Sequence, residues 1–391
     1  MQRAMLKDFS TQSLTMGLLA AFVGCASSFA VIVQGLSAVG ASPAQAASGL
    51  LAVSVAMGLA TVWTSFSSRT PVAIAWSTPG AALLAASGVL SGGFAAATGA
   101  FLVCGALILA CAYWQRLGTW VSAIPTALAN AMLAGILLGL CLAPVEAVAQ
   151  LPAEGLAIVA TWALVAKFSR LYAVPAAVAV TAAIIGAQTP SGSFAATSLV
   201  PQIEFGLPVF TLDAAIGIAV PLFIVTMASQ NIPGFAVLKV NGYAPAPAPL
   251  FRLTGLFTMG ASFFGGHAVN LSALTAAMCT GPDAHPDPQR RYWAAGFCGI
   301  GYLAFGLLAG AATAFVAAAP PVLIQAVAGL ALLGALGSAL LGAMQAPEDR
   351  EAAIVTFLVT ASGVSFGGIS GAFWGLIAGG AIHALTRWKR G

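Results

Sequence analysis

Charge is what this chain has least of. Lysine and arginine number 14, aspartate and glutamate 10 and histidine 3 among 391 residues. Charged residues make up 6% of the chain and hydrophobic ones 60%, against roughly 25% charged in a soluble domain. No soluble core absorbs that much apolar surface, so most of the chain is expected in a lipid bilayer. A net charge of +4 is far too thin for a nucleic-acid footprint, and nucleic acid is not an expected partner. The six cysteines lack Cys-x-x-Cys spacing and read as buried free thiols. No low-complexity linker or soluble domain interrupts the pattern. The first apolar stretch is span-length, without a small-residue cleavage site behind a brief core, so no cleaved signal is expected.

What is present is a series of apolar segments. They fall near 12–34, 45–66, 72–89, 93–114, 122–143, 151–168 and 171–189, then near 212–238, 249–262, 263–280, 292–318, 322–343, 351–365 and 367–386. A full crossing helix needs about 20 apolar residues, so several of these fourteen segments are short or broken. With the N-terminus inside, Arg3, Lys7, Arg69, Arg116, Lys167, Arg170, Lys239, Arg252, Arg290, Arg291, Arg350, Arg387, Lys389 and Arg390 all fall on one side. The other side carries Glu146, Glu154, Glu204 and Asp213 and no basic residue. That is the positive-inside bias, and it predicts both termini in the cytoplasm of a multi-pass protein of a bacterial inner membrane.

The chain is also written twice. A shift of 202 lays Val23, Ala26, Ser27, Leu36, Gly40, Pro43 and Ala44 on Val225, Ala228, Ser229, Leu238, Gly242, Pro245 and Ala246. A shift of 194 lays Ala134-Gly135 on Ala328-Gly329. We read residues 1–190 as a first seven-segment repeat, 191–211 as an external connecting loop and 212–391 as a second repeat. Because seven is odd, the repeats must be inverted, and a site is expected at their interface.

The third and tenth segments are broken. In Thr70-Pro-Val-Ala-Ile-Ala-Trp-Ser-Thr-Pro-Gly80 the first half suits extended backbone, after which Ser77-Thr78 precede Pro79. Thr78 is the expected N-cap, with Pro79 at the first helical position. In Phe263-Phe-Gly-Gly-His-Ala-Val-Asn-Leu-Ser272 the glycines permit irregular backbone and Asn270 is the expected cap. Half-helices starting inside the membrane aim free N–H groups and positive dipole ends at a cavity, which should prefer an anion. The eighth segment adds Gln230 and Asn231, which could hold a carboxylate without repelling it; Ser28 and Ser27 occupy the repeat-related place. Trp76, Phe263 and Phe264 are candidate aromatic walls. His267 is the clearest titratable group away from the membrane surfaces, and it titrates near working pH. Asp283, His285 and Asp287 alternate in a Pro-rich turn and read as a solvated loop instead of a metal site.

Several of these stretches resemble the BenE family of benzoate/proton symporters. They are Ala75-Trp-Ser-Thr-Pro-Gly-Ala-Ala-Leu-Leu84, Ala131-Met-Leu-Ala-Gly-Ile-Leu-Leu138, Pro221-Leu-Phe-Ile-Val-Thr-Met-Ala-Ser-Gln-Asn231, Gly265-Gly-His-Ala-Val-Asn270 and Ala372-Phe-Trp-Gly-Leu-Ile-Ala-Gly-Gly380. The resemblance implies an all-α architecture similar to uracil-type permeases, with inverted seven-segment repeats, a core domain and a gate domain. Where those permeases hold a nucleobase with carboxylates, this chain has Gln230 and His267, which suits an anionic substrate. The expected function is import of benzoate or a similar aromatic carboxylate with a proton, the proton being the coupling ion and no cofactor being needed. Ser28, Ser77, Thr78, Gln230, Asn231, His267 and Asn270 are the expected substrate-binding residues, with His267 carrying the proton. The alternatives are a transporter of another small organic anion or a nucleobase, or a passive anion channel. An enzyme is not expected, since the segments supply no nucleophile–base or metal constellation. Oligomeric state is left open.

Overall fold

The computed structural model describes residues 8–114, 125–188, 200–364, 366, 369 and 371–388. From the N-terminus, α1 (Thr11–Ala26) and α2 (Phe29–Ala38) meet at a break, and α3 spans Pro43–Ser68. A short strand, β1 (Ile74–Trp76), leads into α4 (Thr78–Ser87). Then come α5 (Gly93–Tyr113), α6 (Thr126–Gln150), α7 (Pro152–Phe168) and α8 (Arg170–Gln188). The second half opens with α9 (Leu212–Val240), which carries π-helical stretches at Ala215–Ala219 and Met227–Asn231. It continues through α10 (Pro247–Ser262), β2 (Val269–Leu271), α11 (Ala273–Thr280) and α12 (Tyr292–Gly306). The chain closes with α13 (Ala309–Ala318), α14 (Pro321–Met344), α15 (Arg350–Ala361) and α16 (Gly371–Trp388). The charges at Arg3, Lys7, Arg116, Lys389 and Arg390 and the 191–199 part of the connecting loop lie outside the described residues.

This is a mostly helical, polytopic membrane protein. Among the described residues, seven helical stretches are long and apolar enough to cross a membrane, or eight if the bent pair Pro288–Gly306 and Ala309–Ala318, at 56°, forms one. Helices α4, α11 and α15 have 10, 8 and 12 residues. At 1.5 Å per residue they reach only about 12–18 Å, less than a hydrocarbon core of about 30 Å.

The helices gather into two bundles. In one, α3 and α1 pack on α12, α5 packs on α10 and α2 on α4; in the other, α6 packs on α14 and α15, α15 on α16 and α7 on α8. Lipid supplies no hydrophobic drive between helices, so close backbone approach through small residues does the work. A Cβ on Gly58 of α3 would lie 2.8 Å from the Gly299 carbonyl of α12, and one on Gly255 of α10 would lie 2.9 Å from the Gly105 carbonyl of α5.

Contacts sort the helix ends into two faces. On one, Tyr292 donates to Asp8 at 2.9 Å, Gln12 to the Asp283 carbonyl at 2.9 Å and Tyr243 to the Pro288 carbonyl at 2.7 Å. Arg69 and Arg290 line the same recess. On the other, Ser91 donates to Asp213 at 2.6 Å, Glu204 N–H to Ser48 at 3.0 Å and Gly206 N–H to the Phe263 carbonyl at 2.8 Å. The first face carries these basic residues and the second these acidic ones.

The two copies of the Gly-x-x-Pro-Ala motif behave alike. Gly40 and Gly242 both adopt left-handed backbone, at φ 99° and 85°, a conformation that glycine reaches without a Cβ penalty. In each case the residue after the glycine donates back across the last helical turn, Ala41 to Leu36 at 3.1 Å and Tyr243 to Leu238 at 2.9 Å. Both helices end in the same glycine-capped turn.

Candidate functional site

The interrupted segments meet as an antiparallel strand pair, Ile74 opposite Leu271, Ala75 opposite Asn270 and Trp76 opposite Val269. Ser77 N–H extends the ladder to the Ala268 carbonyl and Ser272 N–H to the Ala73 carbonyl. The inward-facing groups of each strand are thereby satisfied by the other, and the outward N–H groups of Ile74, Val269 and Leu271 donate to the side chains of Thr61, Thr258 and Asn231, as backbone buried away from water requires. Each then turns into a half-helix.

The caps differ from expectation by one and two residues. Ser77, not Thr78, caps α4, its Oγ accepting from Gly80 N–H at 3.1 Å. Ser272, not Asn270, caps α11, accepting from Thr275 N–H at 3.3 Å. Extended backbone persists through Trp76 and Leu271, so the first residue free to cap is the serine beyond each strand. Asn270 lies within β2 and bonds the neighbouring Leu271 carbonyl through Nδ2 at 2.7 Å.

Both half-helix starts border one cavity of about 160 Å³. From Ala73 to Ser77 the strand rises about 13 Å, so the starts stand at opposite ends of the strand pair. The α4 end presents Trp76, Thr78 and Pro79; the α11 end presents Ser272, Leu274 and Thr275. Gln230 belongs to the α11 end, because the adjacent Asn231 accepts from Leu271 N–H at 2.9 Å. The break between α1 and α2 contributes Gly24, Ser27 and Ser28, while α14 supplies the apolar Ala331, Leu332 and Ala335.

Of the seven predicted residues, Ser28, Thr78 and Gln230 line this cavity. Ser28 is occupied, taking Trp76 Nε1–H at 2.8 Å and donating to the Gly24 carbonyl at 2.8 Å. It thus holds the indole that walls the cavity. Ser77 is buried, bonded to Thr226 Oγ1 at 3.0 Å. Asn231 is buried and engaged with Leu271 and Met227. Neither these two nor Asn270 or His267 is in the cavity wall.

His267 sits behind the strand crossing, fully buried, with Nε2 3.1 Å from the Ser77 carbonyl. A carbonyl only accepts, so Nε2 carries the proton. Nδ1 is a buried lone pair with no hydrogen-bond partner. Phe101 packs edge-on at 6.4 Å between ring centroids.

Besides the capping Ser272, two polar residues of the cavity were not anticipated, Thr275 and Tyr302. Both are buried, and neither Thr275 Oγ1 nor Tyr302 OH makes a well-formed hydrogen bond. Tyr302 comes from α12, whose sequence reads as an ordinary apolar segment, so only its polar tip in mid-helix signals it. A buried hydroxyl left unpaired costs about 1–3 kcal/mol, which a ligand or water at that place relieves. At the start of α11, Ala273 and Leu274 N–H also find no protein acceptor among the described residues. The cavity therefore offers hydroxyls, an amide and helix N–H groups, with no carboxylate and no cationic side chain among the described residues of its wall. Such a donor-rich, uncharged cavity favours an anion. Its volume compares with the roughly 150 Å³ that accepts a benzene ring in an apolar cavity.

Several known proteins resemble this chain. The family model described as benzoate membrane transport protein (BenE) matches residues 7–385. The chain is 41% identical over 379 residues to the inner membrane protein YdcO of Escherichia coli strain K12, covering 95% of each. It is 30% identical over 383 residues to the benzoate membrane transport protein of Acinetobacter baylyi, covering 96% of this chain and 95% of the relative. Among solved structures, the transmembrane domain of a cyanobacterial bicarbonate transporter, BicA, superposes with a TM-score of 0.58 at 15% identity, over 97% of this chain and 98% of that one. The murine anion transporter Slc26a9, in its inward-facing state, gives 0.63 at 14% identity, over 98% of this chain and 69% of that one. At these identities the structures share the fold alone.

Proposed function

This chain belongs to the BenE family, and we propose that it carries benzoate or a similar aromatic carboxylate across the bacterial inner membrane together with a proton. That it is a multi-pass inner-membrane transporter and not an enzyme follows from the family. The observation that carries the substrate class is the ring-sized cavity whose polar groups include donors and whose described wall residues hold no carboxylate. We place the substrate carboxylate at the α11 start, against Ala273 and Leu274 N–H, Thr275, Tyr302 and Gln230. The ring then runs along Trp76 and Met57 toward Pro79, with Thr78 at the far end. Ser28 acts by orienting Trp76, and Ser77, Asn231 and Asn270 hold the strand crossing.

His267 is the proton site in this scheme. Its unpaired Nδ1 accepts the proton, and its Nε2 bond to Ser77 ties it to the α4 cap. Substrate and proton then promote each other's binding, by reciprocal linkage. Release to the cytoplasm, where the pH is higher, discharges both.

We further propose fourteen crossings in two inverted repeats, 1–190 and 212–391, with both termini cytoplasmic. The equivalent glycine turns at Gly40 and Gly242, the departure from α-helix at both 27–28 and Met227–Asn231, and the sorting of basic and acidic ends onto two faces support it. Thiols placed at the exposed Gln202 and Gln289 should label from opposite sides; labelling of both from outside would overturn the count.

The function is tested by uptake of labelled benzoate into proteoliposomes with and without an imposed pH gradient. Accumulation should require the gradient. Flux indifferent to it would leave a passive anion pathway, and absence of flux would remove benzoate as substrate.

A further inference from the structure

A second, larger space adjoins the central cavity. It measures about 750 Å³ and lies between α7, α8 and α14 on one side and α1 and α11 on the other. Ser27, Leu274 and Ala331 wall both spaces, so this vestibule lies directly beside the cavity. Its charged wall residues are Lys167, in the last turn of α7, and Arg170, the first residue of α8. Trp162 lines the same wall one helical turn before Ala166 and Lys167.

Positive-inside sorting explains the sign of these side chains, but not why they are left unpaired in a cavity wall. Arg290 lies 3.7 Å from Asp8 and 3.5 Å from Asp287. Arg291 donates to the carbonyls of Thr280 and His285 at 2.6 and 2.7 Å. Lys167 and Arg170 form no ion pair among the described residues and are exposed. Lys167 Nζ lies over the ring of Phe168, 6.0 Å from its centroid. Two cations in a recess walled mostly by apolar side chains concentrate an attractive potential for anions.

We propose that the vestibule is a second, weaker site for an aromatic carboxylate, in which Lys167 and Arg170 take the carboxylate and Trp162 the ring. It rests on the reading of the chain as an aromatic-carboxylate transporter. Its role is to collect substrate on the face that carries the α7–α8 turn and hand it to, or receive it from, the central cavity. Because the cations are exposed, the site is screened by salt.

The test compares the parent with the neutral pair K167Q/R170Q and the charge-preserving pair K167R/R170K, reconstituted and assayed for labelled-benzoate exchange from each face separately. The neutral pair should raise the half-saturating benzoate concentration on the α7–α8 face by about threefold or more, with the other face unchanged. It should also lose the salt dependence that the parent shows on that face, while the charge-preserving pair behaves as the parent. Parent-like exchange in the neutral pair, or an equal loss on both faces, would overturn the proposal. If the parent itself does not move benzoate, the transport reading fails, and calorimetric titration of the purified protein with benzoate decides the vestibule alone. A weak, salt-sensitive binding component that the neutral pair lacks would sustain the site, and a titration without that difference would end it.

Discussion

In β1–α4 the capping serine is fully engaged. Ser77 holds Gly80 N–H, Thr226 and, through its carbonyl, His267, and Pro79 removes one further donor. In β2–α11 the cap takes Thr275 N–H alone, while Ala273 and Leu274 N–H, the Thr275 hydroxyl and the nearby Tyr302 hydroxyl make no well-formed hydrogen bond among the described residues. One strand–helix plan has thus yielded a clamped end and an open end. The open end is where an anion gains most, since the buried Thr275 and Tyr302 hydroxyls there make no well-formed hydrogen bond to the protein.

The sharpest way to break this asymmetry is charge. Gln230→Glu puts a carboxylate at the open end, and at about 6 Å and an effective dielectric of 20 the repulsion is about 3 kcal/mol, so benzoate binding should weaken on the order of a hundredfold. Thr78→Glu, at the far end about 13 Å away, should cost roughly tenfold. Equilibrium binding of labelled benzoate to the two purified variants ranks them; a larger loss in Thr78→Glu would move the carboxylate to the α4 end.

Stability should separate the residues that hold the crossing from those that face the ligand. Asn231→Leu strands the buried Leu271 N–H and should destabilise by about 1–3 kcal/mol, with Ser77→Ala costing about 1 kcal/mol as a lost cap. Thermal unfolding in detergent reads both. If Asn231→Leu unfolds as the parent does while benzoate binding disappears, Asn231 contacts substrate instead.

Tyr302→Phe and Thr275→Val remove hydroxyls that the fold leaves unpaired. Benzoate affinity should fall by about three- to tenfold in each, the worth of a hydrogen bond of about 1 kcal/mol, with no loss of thermal stability. The reverse pattern would make these hydroxyls structural.

The smallest change at a single pH belongs to His267→Gln, which retains a donor for the Ser77 carbonyl. In the parent, benzoate affinity should rise as pH falls, because protonation and carboxylate binding favour each other. The variant should bind benzoate with little pH dependence and fail to accumulate it against a gradient. Accumulation equal to the parent would send the proton by another route, such as benzoic acid itself.

Much of this was legible beforehand. The apolar runs, the paired Gly-x-x-Pro-Ala and the two broken segments are local patterns, and the physics behind them is local too: transfer of side chains into lipid, and the backbone freedom of glycine and proline. Gln230, Thr78 and Ser28 were reached because polar side chains are conspicuous in an apolar background. What the tertiary structure alone decided were the capping serines, the pairing of Ile74–Trp76 with Val269–Leu271, the withdrawal of Asn231, Asn270 and His267 behind the cavity, and the entry of Thr275 and Tyr302 into it. In Ser77-Thr78 and in Asn270-Leu271-Ser272 either polar residue can cap, and the choice follows from where extended backbone stops, which the opposite strand imposes from nearly two hundred residues away. Segments apolar all round carry no amphipathic stripe to say which face meets lipid and which meets a neighbour, so the direction in which Tyr302 points was set only when α12 packed against α1 and α3.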